Sequence, residues 1–197
     1  MAAASDRDLV DRARGGDAEA FGLLVRRHQK RIFRLSVHLT KSATEAEDIT
    51  QDTFVRAYQA LSRFDGRSEP FTWLYRIAVN LSLNHLRQRK SRKVDHTDDD
   101  PRIAAMLSET RPGMQADPAS AADQRKLAEA LCAGVDALSE TLRTTLVLVS
   151  IDGLSHEQAA EVLGCPVGTI AWRVHEARRK LRASLAERGF GTGEGDA

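Results

Sequence analysis

A proline-rich, acidic segment divides this 197-residue sequence into two parts. Residues 94–122 contain three of the five prolines and show no sustained periodicity of apolar residues. Such a stretch is typical of a connection between domains rather than of a packed element. We therefore predict a flexible linker, 94–122, between an N-terminal domain, 5–93, and a C-terminal domain, 123–188. The glycine-rich tail, 189–197, is expected to fray.

Both parts show the periodicity of helices, and neither shows the alternation typical of strands. Apolar residues recur every three or four positions over 21–35, 54–61 and 74–86, and again over 127–135 and 142–149. Only 5% of the residues are aromatic, which favours cores of leucine, alanine and valine in packed helices. The sequence therefore predicts an all-α fold made of two small helical domains.

Capping motifs predict where one of these helices begins. Ser42 and Glu45 fit a capping box, and so do Thr44 and Glu47, so either pair can open the helix that contains 54–61. The next helix is expected to start near Pro70, because proline is tolerated in a first turn.

Residues 155–185 carry the strongest local pattern in the chain. Ser155 and Gln158 fit a capping box, Gly164 permits a tight turn, and Pro166 can open a second helix. The apolar positions of that second helix are spaced four, three and four residues apart: Ile170, Val174, Ala177 and Leu181. This pattern is typical of a helix-turn-helix, whose second helix enters the major groove of DNA.

The remaining positions of this second helix are predicted to face outward. Six basic residues and two acids lie between 166 and 188. A helical hairpin with a solvated basic face would show the same periodicity, but basic residues beside such a turn favour DNA. The predicted DNA-facing residues are Thr169, Ala171, Trp172, Arg173, His175, Glu176, Arg178 and Arg179.

A second polar stripe lies on the helix that starts near Pro70. Its members are Trp73, Arg76, Asn80, Asn84 and Arg87, at spacings of three, four, four and three. Between 76 and 93 there are six basic residues and no acid, whereas acids outnumber basic residues seven to two over 94–123. An aromatic ring, amides and guanidiniums on one face suit single-stranded nucleic acid.

The loop before this stripe, Phe64 to Ser68, has a composition suited to receiving an unstacked base, with Arg67 within it. An alternative is that Trp73 and Tyr75 are core aromatics and that the arginines merely face solvent. The residue pattern by itself favours neither interpretation.

A third candidate surface combines acidic and apolar residues near the start of the helix over 45–61. It comprises Glu45, Glu47, Asp48, Gln51 and Asp52, beside Phe54 and Tyr58. Acids in a first turn often only complement the helix dipole, and that interpretation stays open on the pattern alone.

Several function classes find no support in the sequence. The six histidines show no metal-ligand spacing and no serine lies in a nucleophile elbow, so we expect no catalytic residues, no metal and no other cofactor. No apolar run is long enough to span a membrane, and the N-terminus lacks a secretory signal, which together predict a cytoplasmic protein without membrane contact. Cys132 and Cys165 are expected to be buried, unpaired residues.

Two long segments resemble a known family. AEDITQDTFVRAYQALSRFDGRSEPFTWLYRIAVNLSLNHLRQRK is similar to region 2 of the extracytoplasmic-function (ECF) sigma factors, especially their sigma-E-like branch. LSETLRTTLVLVSIDGLSHEQAAEVLGCPVGTIAWRVHEARRKL is similar to their region 4. The resemblance implies an alternative sigma factor, not an enzyme, that binds core RNA polymerase and directs promoter-specific initiation. It also implies a stress or envelope response that an anti-sigma factor controls.

The resemblance further implies a role for each surface. The segment that docks on the polymerase beta-prime clamp is matched by the helix that contains Asp48, Gln51, Asp52, Phe54, Val55 and Tyr58. The beta flap is a second expected contact. Phe64, Arg67 and Ser68, with the stripe from Trp73 to Arg87, match the surface that melts and captures the −10 element. The helix after Pro166 matches the reader of the −35 element.

The sequence departs from the family pattern at four positions. Ala171 and Trp172 stand where the family leads us to expect a basic residue and a small hydroxyl residue. Glu176 replaces an expected basic residue, and Val149 stands where arginine is common. A carboxylate opposes phosphate but can accept a hydrogen bond from cytosine, so these differences bear on the −35 preference.

Two other functions are compatible with parts of the pattern. A two-domain repressor would use the helix-turn-helix, yet it gives no reason for the stripe from Trp73 to Arg87. A helical adaptor that binds only protein would make both basic faces incidental. Transcription with purified core polymerase separates a sigma factor from the first alternative, and promoter binding separates it from the second.

Overall fold

In the computed structural model, residues 4–91 and 118–190 are described, with side chains from 125 onward in the second range. Most of the predicted linker and the end of the predicted tail therefore lie outside the described residues. Within these ranges every regular element is helical, which confirms the all-α prediction. The α-helices are α1 Asp6–Arg14, α2 Ala18–Thr40, α3 Ala43–Ala60, α4 Pro70–Ser91, α5 Pro118–Asp136, α6 Glu140–Leu146, α7 His156–Leu163 and α8 Val167–Glu187.

The chain divides into two compact units, and the first contains α1 to α4. Helix α2 packs against α1, α3 and α4, and α3 also packs against α4. Their shared core holds fully buried side chains, among them Leu24, Ile32, Leu35, Leu74 and Tyr75. A short 3₁₀ helix, Leu61–Arg63, ends α3 and leads into the loop before α4.

Helix α1 lies outside the stretches whose periodicity predicted helices. Its N-cap is Ser5, whose hydroxyl accepts from the backbone N–H of Asp8 while the Asp8 carboxylate accepts from the backbone of Ser5. Asp6 forms an ion pair with Arg27 and a 2.7 Å contact with His28 Nε2 on α2. These contacts fasten α1 to the first unit.

Of the two residues that could cap the start of α3, Ser42 is the N-cap, although its capping box is not completed. The Ser42 hydroxyl accepts from the Glu45 backbone N–H at 3.3 Å, so Ser42 and not Thr44 is the N-cap. The Glu45 carboxylate lies 3.2 Å from His85 Nε2 and 3.4 Å from an Arg89 nitrogen instead of completing the box. This cluster fixes the last turns of α4 beside the start of α3.

The second unit contains α5, α6 and α8, and α8 packs against both other helices. Leu138, Leu142, Leu146 and Ala177 form a buried cluster, with Val135 and Leu181 at its margin. After α6 the chain forms a π-helical turn, Val147–Ile151.

Helix α5 begins at Pro118, inside the range predicted as linker. Proline is well placed in a first helical turn, and the alanines that follow favour a helix, so the linker prediction ended too late. The cysteine prediction also needs correction. Cys132 and Cys165 are free but only half-buried. Cys165 lies in the exposed turn before α8.

Candidate nucleic-acid and polymerase interfaces

Four side chains on α4 form one solvent-exposed row, which we call the α4 stripe: Arg76, Asn80, Asn84 and Arg87. The residues between them that point inward, such as Ala78 and Ser82, are fully buried. Within the described part of the chain, none of the four side chains has a hydrogen-bond or ion-pair partner. The stripe therefore presents two amides and two guanidiniums that are free to bind a ligand.

The stripe ends at an aromatic pair. Trp73 is half-buried, and its ring contacts Phe64 with 4.8 Å between the ring centroids. Phe64 is only 7% exposed, so the prediction that it contacts DNA is not supported by its position beneath Trp73. The core-aromatic alternative holds for Tyr75, which is fully buried, and not for Trp73.

The loop between α3 and α4 has a defined conformation. Gly66 adopts a φ of 71°, a left-handed backbone that glycine tolerates best. The Arg67 backbone N–H donates to Asp65 Oδ1 at 3.0 Å, and the Arg67 side chain is 90% exposed. Ser68 is half-buried. The turn thus extends the Arg67 guanidinium into solvent.

Arg7 on α1 holds this loop in place, a role that sequence reasoning missed. Its guanidinium donates to the Gly66 carbonyl at 3.2 Å and pairs with the Glu69 carboxylate at 2.7 Å. The hydrogen bond from Arg7 lowers the pKa of Glu69. Sequence spacing carries no signal for such contacts, because the partners are far apart along the chain.

The exposed side of α3 forms a second surface, the α3 face: Asp48, Gln51, Asp52, Val55 and Tyr58. Val55 and Tyr58 are 53% and 55% exposed, which is unusual for apolar side chains in a packed helix. The Tyr58 ring meets Phe21 of α2 edge-on, with centroids 5.1 Å apart. Phe54 is 7% exposed and points into the core, so its predicted contact with polymerase is not supported.

Over residues 155–187 the predicted helix, turn and second helix follow one another as expected. Ser155 and Gln158 form the predicted capping box, with reciprocal hydrogen bonds of 2.9 and 3.2 Å. Gly164 provides the turn with a φ of 63°, and Pro166 precedes the first turn of α8. The small side chains of Ala159 and Ala160 are buried.

The structure separates the two sides of α8 as the periodicity predicted. Ile170, Val174 and Ala177 are buried, whereas Leu181 is half-buried. The predicted DNA-facing residues divide by exposure: Ala171, Trp172, His175, Arg178 and Arg179 are exposed, and Thr169, Arg173 and Glu176 are partly exposed.

Several charged side chains of α8 interact with neighbouring residues. The Arg179 guanidinium donates two hydrogen bonds of 2.8 Å to the Glu176 carboxylate and thereby lowers the pKa of Glu176. A guanidinium nitrogen of Arg178 lies 3.4 Å from the hydroxyl of Ser150, a residue of the π-helical turn. Arg173 lies 3.7 Å from the Cys165 sulfur. The carboxylate of Glu176 is thus neutralised on its own helix.

The described residues hold no group of three or more histidine, cysteine, aspartate or glutamate side chains arranged to bind a metal ion. None of their helices is both long and apolar enough to cross a membrane.

Two protein-family models match the chain. The model for Sigma-70 region 2 matches residues 24–92, which include the α3 face and the α4 stripe. The model for Sigma-70, region 4 matches residues 129–181, which include α7, the turn and most of α8. Both regions in this order define the class of the protein as a sigma-70-type transcription initiation factor.

Individual relatives identify the group of sigma factors to which the chain belongs. The chain is 38% identical to the RNA polymerase sigma-H factor of Pseudomonas aeruginosa over 185 residues, which cover 91% of this chain and 93% of the relative. It is 35% identical to the ECF RNA polymerase sigma-E factor of Escherichia coli over 179 residues, which cover 90% and 92%. The chain belongs to the ECF sigma factors of the sigma-70 family, and it directs RNA polymerase as an alternative sigma factor.

Two solved structures have similar folds. One is CnrH in complex with the cytosolic domain of CnrY, with a TM-score of 0.68, 28% identity, and coverage of 92% of this chain and 97% of that chain. The other is the sigma factor RpoE in complex with the anti-sigma factor NepR from Bartonella quintana. It has a TM-score of 0.60 and 25% identity, and covers 83% of this chain and 93% of that chain.

Proposed function

We propose that three surfaces divide the work of this sigma factor. The α3 face binds core RNA polymerase, the α4 stripe and the loop before it open the −10 element, and α8 reads the −35 element. The observation that carries the proposal is the α4 stripe, because its exposed amides and guanidiniums lack partners within the described chain. Catalysis of RNA synthesis belongs to the polymerase, and this chain is not itself an enzyme.

The composition of the α4 stripe suits single-stranded DNA. Asn80 and Asn84 offer donors and acceptors to unpaired base edges, while Arg76 and Arg87 can hold phosphates on either side. Trp73, supported from below by Phe64, offers a ring face at the end of the stripe. A displaced strand satisfies all of these groups at once, whereas duplex DNA hides its base-pairing edges.

The α3 face suits a protein partner. Two exposed apolar side chains, Val55 and Tyr58, lie beside the carboxylates of Asp48 and Asp52. An apolar centre with charged residues at its edge is the usual anatomy of a protein interface. We assign this face to the beta-prime clamp of the polymerase, and we assign contact with the beta flap to the C-terminal domain.

The basic side of α8 suits duplex DNA. Its exposed residues include Arg178 and Arg179, and the helix follows a capped helix and a glycine turn as in other helix-turn-helix proteins. The proposed domains are 5–93 for region 2 and 123–188 for region 4, and helix α5, which enters the second domain, begins at Pro118.

We also propose that an anti-sigma factor binds this chain and controls it in a stress or envelope response. The support is the likeness to RpoE, whose structure was solved with the anti-sigma factor NepR. Because its partners are polymerase and promoter DNA, we place the protein in the cytoplasm. Recovery of the tagged chain from its host under non-inducing conditions should yield one such partner, and recovery of polymerase subunits alone would contradict this part.

Asn80→Ala tests the melting role of the α4 stripe. Loss of one hydrogen-bonded base contact should reduce formation of the open complex about tenfold, with no effect on binding to a duplex −35 element. Permanganate reactivity with core polymerase measures the opening, and Gln29→Ala, an exposed amide on α2, is the matched control.

A template with a pre-melted −10 bubble should restore the activity of Asn80→Ala, since the strands no longer need to be opened. Normal opening of the matched promoter, or no restoration by the bubble, would show that the stripe does not melt DNA.

A further inference from the structure

The start of α8 carries an unusual exposed tryptophan. Trp172 is 62% exposed, which makes it a large apolar side chain held in water. It lies on the side of α8 opposite the buried residues Ile170 and Val174. Water around an indole is unfavourable, and an exposed indole of this size commonly marks a binding position.

The surface on the N-terminal side of Trp172 is apolar and open. Gly168 lies one helical turn earlier, and a Cβ placed there would meet no atom within 4 Å. Val167 is 41% exposed, and Ala171 is exposed as well. Residues 165–172 contain no charged side chain. The first turns of α8 thus form an apolar surface that is open to solvent beside the indole.

The charged residues of α8 follow this apolar surface. Arg178, Arg179, Lys180 and Arg182 are all exposed in the later turns. The carboxylate of Glu176 does not cancel them all, because Arg179 alone binds it. In helix-turn-helix proteins the early residues of the second helix meet base edges. The later basic turns are therefore suited to phosphate, and the apolar turns to bases.

We propose that Trp172 selects a thymine in the −35 element by contacting its 5-methyl group, with Gly168 leaving the space that the methyl group and its base need. The proposal rests on the function of α8 given above and names the base chemistry that it reads. In the major groove, thymine is distinguished by this methyl group, and an apolar side chain is its natural partner.

The charge of the helix favours DNA over a protein as the occupant of this surface. Between 166 and 188 six basic residues oppose two acids, so a polyanion is the complementary partner. Contact with one methyl group corresponds to about a fourfold difference in affinity between thymine and a base without it.

The test uses the full chain with core polymerase. Active −35 elements are first selected from a randomised promoter library, and each thymine in them is then replaced by deoxyuridine, which removes only the methyl group. The wild-type holoenzyme should bind about fourfold more weakly when one particular thymine, or two adjacent ones, loses its methyl group. Trp172→Ala should bind thymine and deoxyuridine equally at that position, and Trp172→Phe should keep part of the difference.

Gln29→Ala is the matched control and should retain the full methyl dependence. Three results would overturn the methyl contact and leave the sigma-factor assignment intact. The wild-type holoenzyme could transcribe with no position sensitive to loss of the methyl group, or the selected −35 elements could contain no thymine. The third result is that Trp172→Ala shows the same methyl sensitivity as the wild type. A wild-type holoenzyme that transcribes no promoter in the library would overturn the proposed function and this inference together.

Discussion

His38, one of two buried histidines of α2, makes the stability of the first unit depend on pH. His38 is 5% exposed, and its Nε2 has no hydrogen-bond partner among the described residues. Burial lowers its pKa to about 4, and the positive charges of Lys41 and Arg34 add to the shift. The folded protein therefore holds this imidazole neutral at physiological pH.

The direction and size of the effect follow from the two pKa values. In the unfolded chain a histidine titrates near pH 6.5, so below that pH the unfolded state binds a proton that the folded state refuses. The contribution of the neutral His38 to the free energy of unfolding is complete above about pH 6.5 and is lost as the pH falls toward about 4. At pH 5 the loss amounts to about 2 kcal/mol, since each pKa unit corresponds to about 1.4 kcal/mol.

Urea unfolding at pH 7.5 and pH 5 measures this loss. The chain has two tryptophans, so the variant Trp172→Phe leaves Trp73 as the only indole, and its fluorescence reports on the first unit. The fall in unfolding free energy between the two pH values should be about 2 kcal/mol smaller when His38→Gln is added. All other ionisable groups are shared by the two proteins, so their contributions cancel in the difference. An equal fall in both proteins would show that His38 is not the group responsible.

Three further predictions concern other parts of the chain. Ser155→Ala removes the capping hydroxyl of α7 and should destabilise the second unit by about 1 kcal/mol in urea unfolding followed by circular dichroism. Leu74→Ala leaves a cavity in the first unit at a fully buried position and should cost about 2–5 kcal/mol in the same assay. Glu176→Gln releases Arg179 and should raise holoenzyme affinity for a duplex −35 element, with a salt dependence steeper by about one ion. An unchanged salt slope would contradict this release.

Local patterns in the sequence were sufficient to predict most of the helices, though not α1, and to predict the outward side of α4 and α8. The spacing from Arg76 to Arg87 predicted an exposed row, and all four members are exposed. The periodicity through Ile170, Val174 and Ala177 predicted the buried side of α8 correctly. These predictions succeed because side-chain direction in a helix follows directly from residue spacing.

The predicted contacts of Phe54 with polymerase and of Phe64 with DNA did not follow from this spacing rule. Phe54 follows Thr53, which is fully buried with Ala46 and Ala57, so a closer count along α3 would have placed its ring inward. The position of Phe64 depends on Trp73, a contact between two elements that no spacing expresses.

Long-range ion pairs were beyond prediction for a related reason. Arg7 reaches Glu69 only because α1 packs against α2 and α4, and the sequence carries no pairing code for exposed charges. The same holds for Glu45, which a local motif assigned to a capping box and which the fold turns toward His85 and Arg89. A carboxylate binds whichever cation the tertiary structure brings near.

The isolation of the α4 stripe has a consequence for how promoter choice changes over time. Its four side chains make no hydrogen bond or ion pair within the described chain, so exchanging them removes no such interaction from the fold. Under the function proposed for the stripe, mutation can vary the recognised sequence while the helix beneath stays intact, and duplicated copies can acquire separate sets of target genes. The same independence makes these positions a practical starting point for building sigma factors that operate in parallel within one cell.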